Sequence, residues 1–138
     1  MPGRRRAIPR TTIPVVSKHM GWSDVLASVD VANGQIVEIE IDSDSVEIVL
    51  WRTTSGELAA CDARCPHPWA HLATAGVVDG DELVCLSHFW RFGTDGAGSK
   101  LGATGRRDEK AANRIFRVEE RGGRIMLWSD DAGDPSPG

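Results

Sequence analysis

Two short boxes constrain this chain more than anything else in it: Cys65-Pro66-His67 and, after seventeen intervening residues, Cys85-Leu86-Ser87-His88. Each box couples one thiol to one imidazole. Zinc fingers of the common type segregate the two, with Cys beside Cys and His beside His. One thiolate and one imidazole per box suit a centre with two inequivalent metal ions, each box giving one ligand to each ion. A structural zinc bound by all four groups stays open as the alternative.

The pattern C-x-H-x17-C-x-x-H resembles that of the Rieske family, and the flanks agree with it. Residues 76 to 92, GVVDGDELVCLSHFWRF, resemble the hairpin that carries the second box, and residues 115 to 128, IFRVEERGGRIMLW, resemble the closing hairpin. The likeness covers about residues 20 to 128. It implies an all-β Rieske fold of small antiparallel sheets with a two-loop cluster-binding subdomain. It also implies a Rieske-type [2Fe–2S] cluster, with Cys65 and Cys85 on the inner iron and His67 and His88 on the outer one. With two ferric ions, two sulfides and two thiolates, such a centre is neutral when oxidised, which makes adding an electron easier than at a four-thiolate cluster. The chain has no Tyr to donate a hydrogen bond to the sulfurs, and Phe89-Trp90 stand where the high-potential branch has Gly-Ser. The low end of the range for such centres, about −150 to +300 mV, is therefore expected.

The chain departs from the family pattern in three places. Phe89 follows the second ligand His, where Gly is usual, and Pro68-Trp69 replace x-Gly in the first box. The third loop has no Pro between residues 99 and 114, so cover for the cluster is expected from other residues, with 101 to 104 as candidates. Respiratory and photosynthetic members carry an extra Cys in each box. Ala70 and Ser87 stand there instead, which points to the soluble, low-potential branch. With Cys61 the one remaining cysteine, no disulfide is expected, and a reducing cytoplasm fits.

At 138 residues a single domain is expected. No apolar run approaches the roughly 18 residues that span a bilayer. Arg4, Arg5, Arg6 and Arg10 precede no apolar stretch, so residues 1 to 18 read as a disordered basic leader rather than an export signal. Without those four arginines, 12 basic residues face 20 acidic ones, a net of −8 that excludes nucleic-acid binding and suits a basic partner. Residues 19 to 128 form the expected domain, and residues 129 to 138 an acidic, disordered tail.

Within the domain, Ser23 is a candidate cap for a short turn. Val37, Ile39 and Ile41 alternate with Glu38 and Glu40, which marks a half-buried strand, and Val46, Ile48 and Leu50 repeat the pattern after a turn at residues 42 to 45. Asp79-Gly80-Asp81 and Gly122-Gly123 mark hairpins. Residues 94 to 105 read as a Gly-rich loop. Eight to ten short strands with almost no helix argue for a sandwich or barrel.

The remaining reactive groups read more plainly. His71 reads as a surface or hydrogen-bonded residue rather than a further polar group at the cluster, and His19 as solvated. Cys61 reads as a small buried apolar group. Trp90 reads as packing, and Trp69 with Phe89 as apolar anchors for a docking partner. The run Arg106, Arg107, Lys110 and Arg114 reads as a solvated loop. The function implied by the resemblance is that of a stand-alone ferredoxin, not itself an enzyme. It would carry single electrons from a flavin-dependent reductase to a terminal oxygenase or similar acceptor. The alternatives are the Rieske subunit or a fragment of a multicomponent oxygenase, or the small subunit of an assimilatory nitrite reductase. An oxygenase also needs a mononuclear iron held by two His and a carboxylate. Only His19 and His71 remain for it, so this chain alone is expected to lack that activity.

Overall fold

The computed structural model describes residues 15–16, 21–41, 46–66 and 70–129. Most of the basic leader, His19, the turn at 42 to 45, His67, Trp69 and residues 130 to 138 lie outside the described residues. Thirteen strands are described, more than the eight to ten expected, with one short helix. They form three sheets.

The first sheet runs β1 (Val15–Val16), β3 (Ile36–Ile41), β4 (Val46–Arg52), β5 (Leu58–Asp62), β11 (Ile115–Phe116). β1 lies within the stretch expected to be a mobile leader, yet it pairs with β3, in parallel. The third sheet is β12 (Val118–Arg121), β13 (Arg124–Ser129), β2 (Gly21–Ala27). Ser23 does not cap a turn, because Gly21–Ala27 is a strand whose Ser23 is buried opposite Leu127. The second sheet carries the second box: β10 (Arg107–Lys110), β9 (Gly98–Leu101), β8 (Trp90–Phe92), β7 (Glu82–Cys85), β6 (Gly76–Asp79).

The first sheet is buried on both faces, and this sets the layout. Ile39 and Ile41 of β3 join Ile48 and Leu50 of β4, Ile125 and Leu127 of β13 in one core. Val49 and Trp51 point the other way. They pack with Cys61, Ala63, Cys65, Leu72, Leu83, Cys85 and Phe92 in a second core beneath the two boxes. That is why β4 reads Ile-Val-Leu-Trp without alternation: a strand covered on both sides has no polar face.

Residues 94 to 105 are not a simple loop. Gly98 and Ser99 are buried in β9, which pairs with β8 and β10. A Cβ at Gly98 would lie 2.2 Å from the carbonyl oxygen of Ala111, so no larger residue fits this crossing. The basic run is solvent-exposed as expected, with only Lys110 half-buried, but Arg107 and Lys110 belong to β10 rather than to a loop. Arg107 donates to Glu82 at 2.7 Å, Lys110 sits over the Trp90 ring, and Arg114 over the Phe116 ring. Residues 102 to 105 are the exposed turn between β9 and β10.

A buried arginine joins two of the sheets. Arg52, at the end of β4, donates to the carbonyls of Val31, Gly56 and Ser28 and to both carboxylate oxygens of Glu120 on β12.

Candidate metal centre

The first box sits on a hairpin that extends β5. The backbone of Arg64 bridges to His71, the Cys65 N–H donates to the carbonyl of Ala70 at 2.9 Å, and Leu72 N–H donates to Ala63 at 2.6 Å. The short helix α1 (Leu72–Ala75) follows at once and runs into β6. Gly76 makes that junction, where a Cβ would lie 2.5 Å from the Leu72 carbonyl oxygen. The second box sits on the β7–β8 hairpin. Cys85 pairs with Trp90 across it, and residues 86 to 89 form the tip. Leu86 N–H donates to Ala75, so the tip is tied to the end of α1.

This construction sets the depth of the described ligand candidates. Cys65 and Cys85 are both fully buried, on the floor of the same core. His88, three residues beyond Cys85, is exposed at the tip. None of the three cysteines is in a disulfide. Buried thiols below and an imidazole above fit a two-iron centre, with a sulfur-bound iron inside and a nitrogen-bound one toward solvent.

Phe89 is the sole non-glycine residue with a positive φ among the described residues, at 63°, and it is 58% exposed. Its N–H donates to Cys85 at 2.7 Å, closing the tip, and that turn demands the left-handed conformation. Holding a bulky side chain there costs about 1–2 kcal/mol, whereas glycine would forfeit only about 0.5–1 kcal/mol of extra chain entropy. Phe89→Gly should therefore stabilise the fold by roughly 0.5–1 kcal/mol. Phe89→Ala, which keeps the strain, should not. Urea unfolding of the two variants checks this.

The other candidates fall where their chemistry takes them. Cys61 is buried in the core, and burial, followed by the nearby Asp62, pushes its thiol far above the ordinary value, so it stays a neutral packing group. Trp90 packs against the same core. Burial works to raise the pKa of Glu82, but hydrogen bonds from Arg91 and Arg107 outweigh it and hold the carboxylate below its usual range. Arg91 also pairs with Asp79. This network of β6, β7, β8 and β10 braces the hairpin that carries the second box, and nothing in the motif signalled it.

His71 is hydrogen-bonded on both sides. Its Nδ1 accepts from the Ala73 N–H at 3.2 Å, and its Nε2 lies 3.1 Å from Glu38 Oε2 and 3.5 Å from Glu47 Oε1. The three side chains approach within 4.8 Å, close enough to hold a metal ion. The hydrogen bonding argues against one. With Nδ1 accepting, the ring hydrogen of the neutral imidazole sits on Nε2. A metal on Nε2 would move that hydrogen to Nδ1, against the Ala73 N–H. The trio is a hydrogen-bonded tie.

Comparison with known proteins agrees with this geometry. The family model for the Rieske [2Fe-2S] domain matches residues 21–117. The oxygenase component of 3-ketosteroid-9-alpha-monooxygenase from Mycolicibacterium smegmatis is 35% identical over 89 residues, which is 64% of this chain and 23% of that protein. Cholesterol 7-desaturase from Hemicentrotus pulcherrimus is 32% identical over 84% of this chain and 25% of its own length. The chain thus spans about a quarter of these curated relatives. Among solved structures, a chain from the complex of reduced oxygenase and oxidized ferredoxin in carbazole 1,9a-dioxygenase superposes with a TM-score of 0.65 at 21% identity. The match covers 81% of this chain and 96% of that one. No described helix is long and apolar enough to cross a membrane. With the family model lying over both boxes and the buried thiols brought to one floor, the chain belongs to the Rieske [2Fe-2S] domain family, and its cofactor is a Rieske-type cluster.

Proposed function

We propose that this chain is a ferredoxin-like electron carrier that delivers single electrons to a terminal oxygenase, supplied by a flavin-dependent reductase. Cys65 and Cys85 hold the inner iron, and His67 and His88 hold the outer iron. When bound, the cluster supplies reversible one-electron transfer with a potential raised by its histidine ligands. The rest is done by the chain. The core around Cys65 and Cys85 keeps water from the sulfurs, and the β7–β8 tip presents His88 at the surface as the electron port. Phe89 beside it offers an apolar contact of the kind that dominates small, transient interfaces. The observation that carries the reading is the depth profile: two thiols fully buried on one floor, an imidazole exposed above.

A second reading has its own support. The curated relatives named above are an oxygenase component and a desaturase several times longer than this chain. The same unit could then serve as the electron-entry part of an oxygenase. The ferredoxin reading is favoured by the match covering 96% of a chain from an oxygenase–ferredoxin complex, which means that a unit of this fold and size occurs as a separate chain. In either role His71 is engaged with Glu38 and is not available to a mononuclear iron. The purified chain, given a chemical reductant and oxygen, should therefore take up one electron per molecule and turn over no steroid or aromatic substrate. Product formation by the chain alone would overturn the carrier assignment.

A further inference from the structure

We infer that His71 is a positioning residue for the proposed cluster, hooking the first ligand loop onto the first sheet through Glu38. The inference rests on the ligation proposed above. His71 stands at the base of the loop. Its backbone bridges to Arg64, next to Cys65, and its carbonyl accepts from Thr74 and Ala75. Its ring spans two bodies. On one side Ala73 N–H fills Nδ1; on the other, Nε2–H donates to Glu38 of β3, with Glu47 of β4 close by. Arg64 lies 3.7 Å from the same Glu47 oxygen. The backbone hydrogen bond thus selects the tautomer, and the tautomer aims the hydrogen at the sheet.

The placement is unusual for a polar contact. Glu38 lies on the side of β3 that alternation assigns to solvent, yet the His71 and Glu38 side chains are only 16% and 22% exposed. His71, at the base of the ligand loop, lies against that polar side. A hydrogen bond to a carboxylate in such a setting is stronger than a neutral one. Its geometry sets where the loop backbone, and with it Cys65, lies relative to β7 and Cys85. Partners that orient a metal-binding element typically change metal retention by about 10–100-fold when lost.

Two substitutions separate the halves of the ring. His71→Asn keeps an acceptor for Ala73 N–H but cannot reach Glu38. His71→Gln places an amide nitrogen near the position of Nε2 and gives up the cap. Glu38→Leu removes the carboxylate while leaving His71 intact. The measurements are the rate of cluster loss to an iron chelator, the linewidth of the reduced-state paramagnetic resonance signal, and the unfolding midpoint by circular dichroism. His71→Asn and Glu38→Leu should each lose the cluster at least about tenfold faster and broaden the signal. The double variant should be no worse than either alone, and His71→Gln should stay within a few-fold of wild type. If Asn and Gln behave alike, or cluster loss only follows the unfolding midpoint, His71 is a structural residue and the inference fails. If the wild-type protein shows no Rieske-type signal, it is the proposed function that falls.

Discussion

Cys85→Ala should yield a protein without visible iron–sulfur absorption and without a reduced-state paramagnetic resonance signal. Cys61→Ala should keep both. The two thiols are buried in the same core, so burial does not distinguish them. Position does. Cys85 sits at the entry to the β7–β8 tip, where its sulfur meets the floor beneath the boxes. Cys61 lies mid-strand in β5, between Val49 and Ile115, with its thiol held neutral by burial. The stability cost of Cys61→Ala is that of removing one small buried group, about 1 kcal/mol. Iron content per chain, measured beside the absorption spectrum, tests both variants. Retention of a full cluster by Cys85→Ala would remove Cys85 from the ligand set.

Arg52→Ala should be a costly change away from the boxes, at about 3 kcal/mol. The guanidinium donates to three carbonyls and to Glu120, and its removal takes the donor from the buried carbonyl of Val31. The Glu120 share of this tie depends on pH. The Arg52 hydrogen bond holds the Glu120 carboxyl below its ordinary value of 4.5. A lowered pKa in the folded state means that the stabilisation is fully present above the ordinary value and is lost as pH falls through the lowered one. Glu120→Gln should therefore differ from wild type at neutral pH, and the gap should narrow as pH falls below the ordinary value of 4.5 and close below the lowered one. Since Glu120 is a third exposed, the gap should be modest, about 1 kcal/mol or less. Denaturant midpoints across that pH range check the sign, and a gap that widens in acid would contradict it.

The legible parts of this chain were those where one local rule decides. The boxes announced themselves by residue type and spacing. β3, the β6–β7 turn and the β12–β13 turn followed from alternation and from glycine at positive φ, as at Gly80 and Gly122. β9 and β10 were hidden because their sequences, GSKL and RDEK, carry no apolar pattern. They are held by pairing to β8, by the close approach at Gly98 and by the Arg107–Glu82 contact, all set by tertiary context. Ser23 misled because a good capping residue is also tolerated in a strand when the opposite strand buries it. The split of residues 115 to 121 into β11 and β12, which serve different sheets, left no mark at all. At the site, the burial of Cys65 and Cys85 and the exposure of His88 became visible only in three dimensions. So did the role of His71, whose partners lie 33 and 24 residues away in sequence.

Electron paramagnetic resonance of the reduced protein tests the central claim most directly. Nitrogen ligation of one iron lowers the average g value below that of four-thiolate [2Fe–2S] clusters. A rhombic signal of that kind, with two irons per chain, is the result expected for Cys65, Cys85, His67 and His88. A colourless protein holding one zinc ion, or a signal of the all-thiolate type, would contradict it.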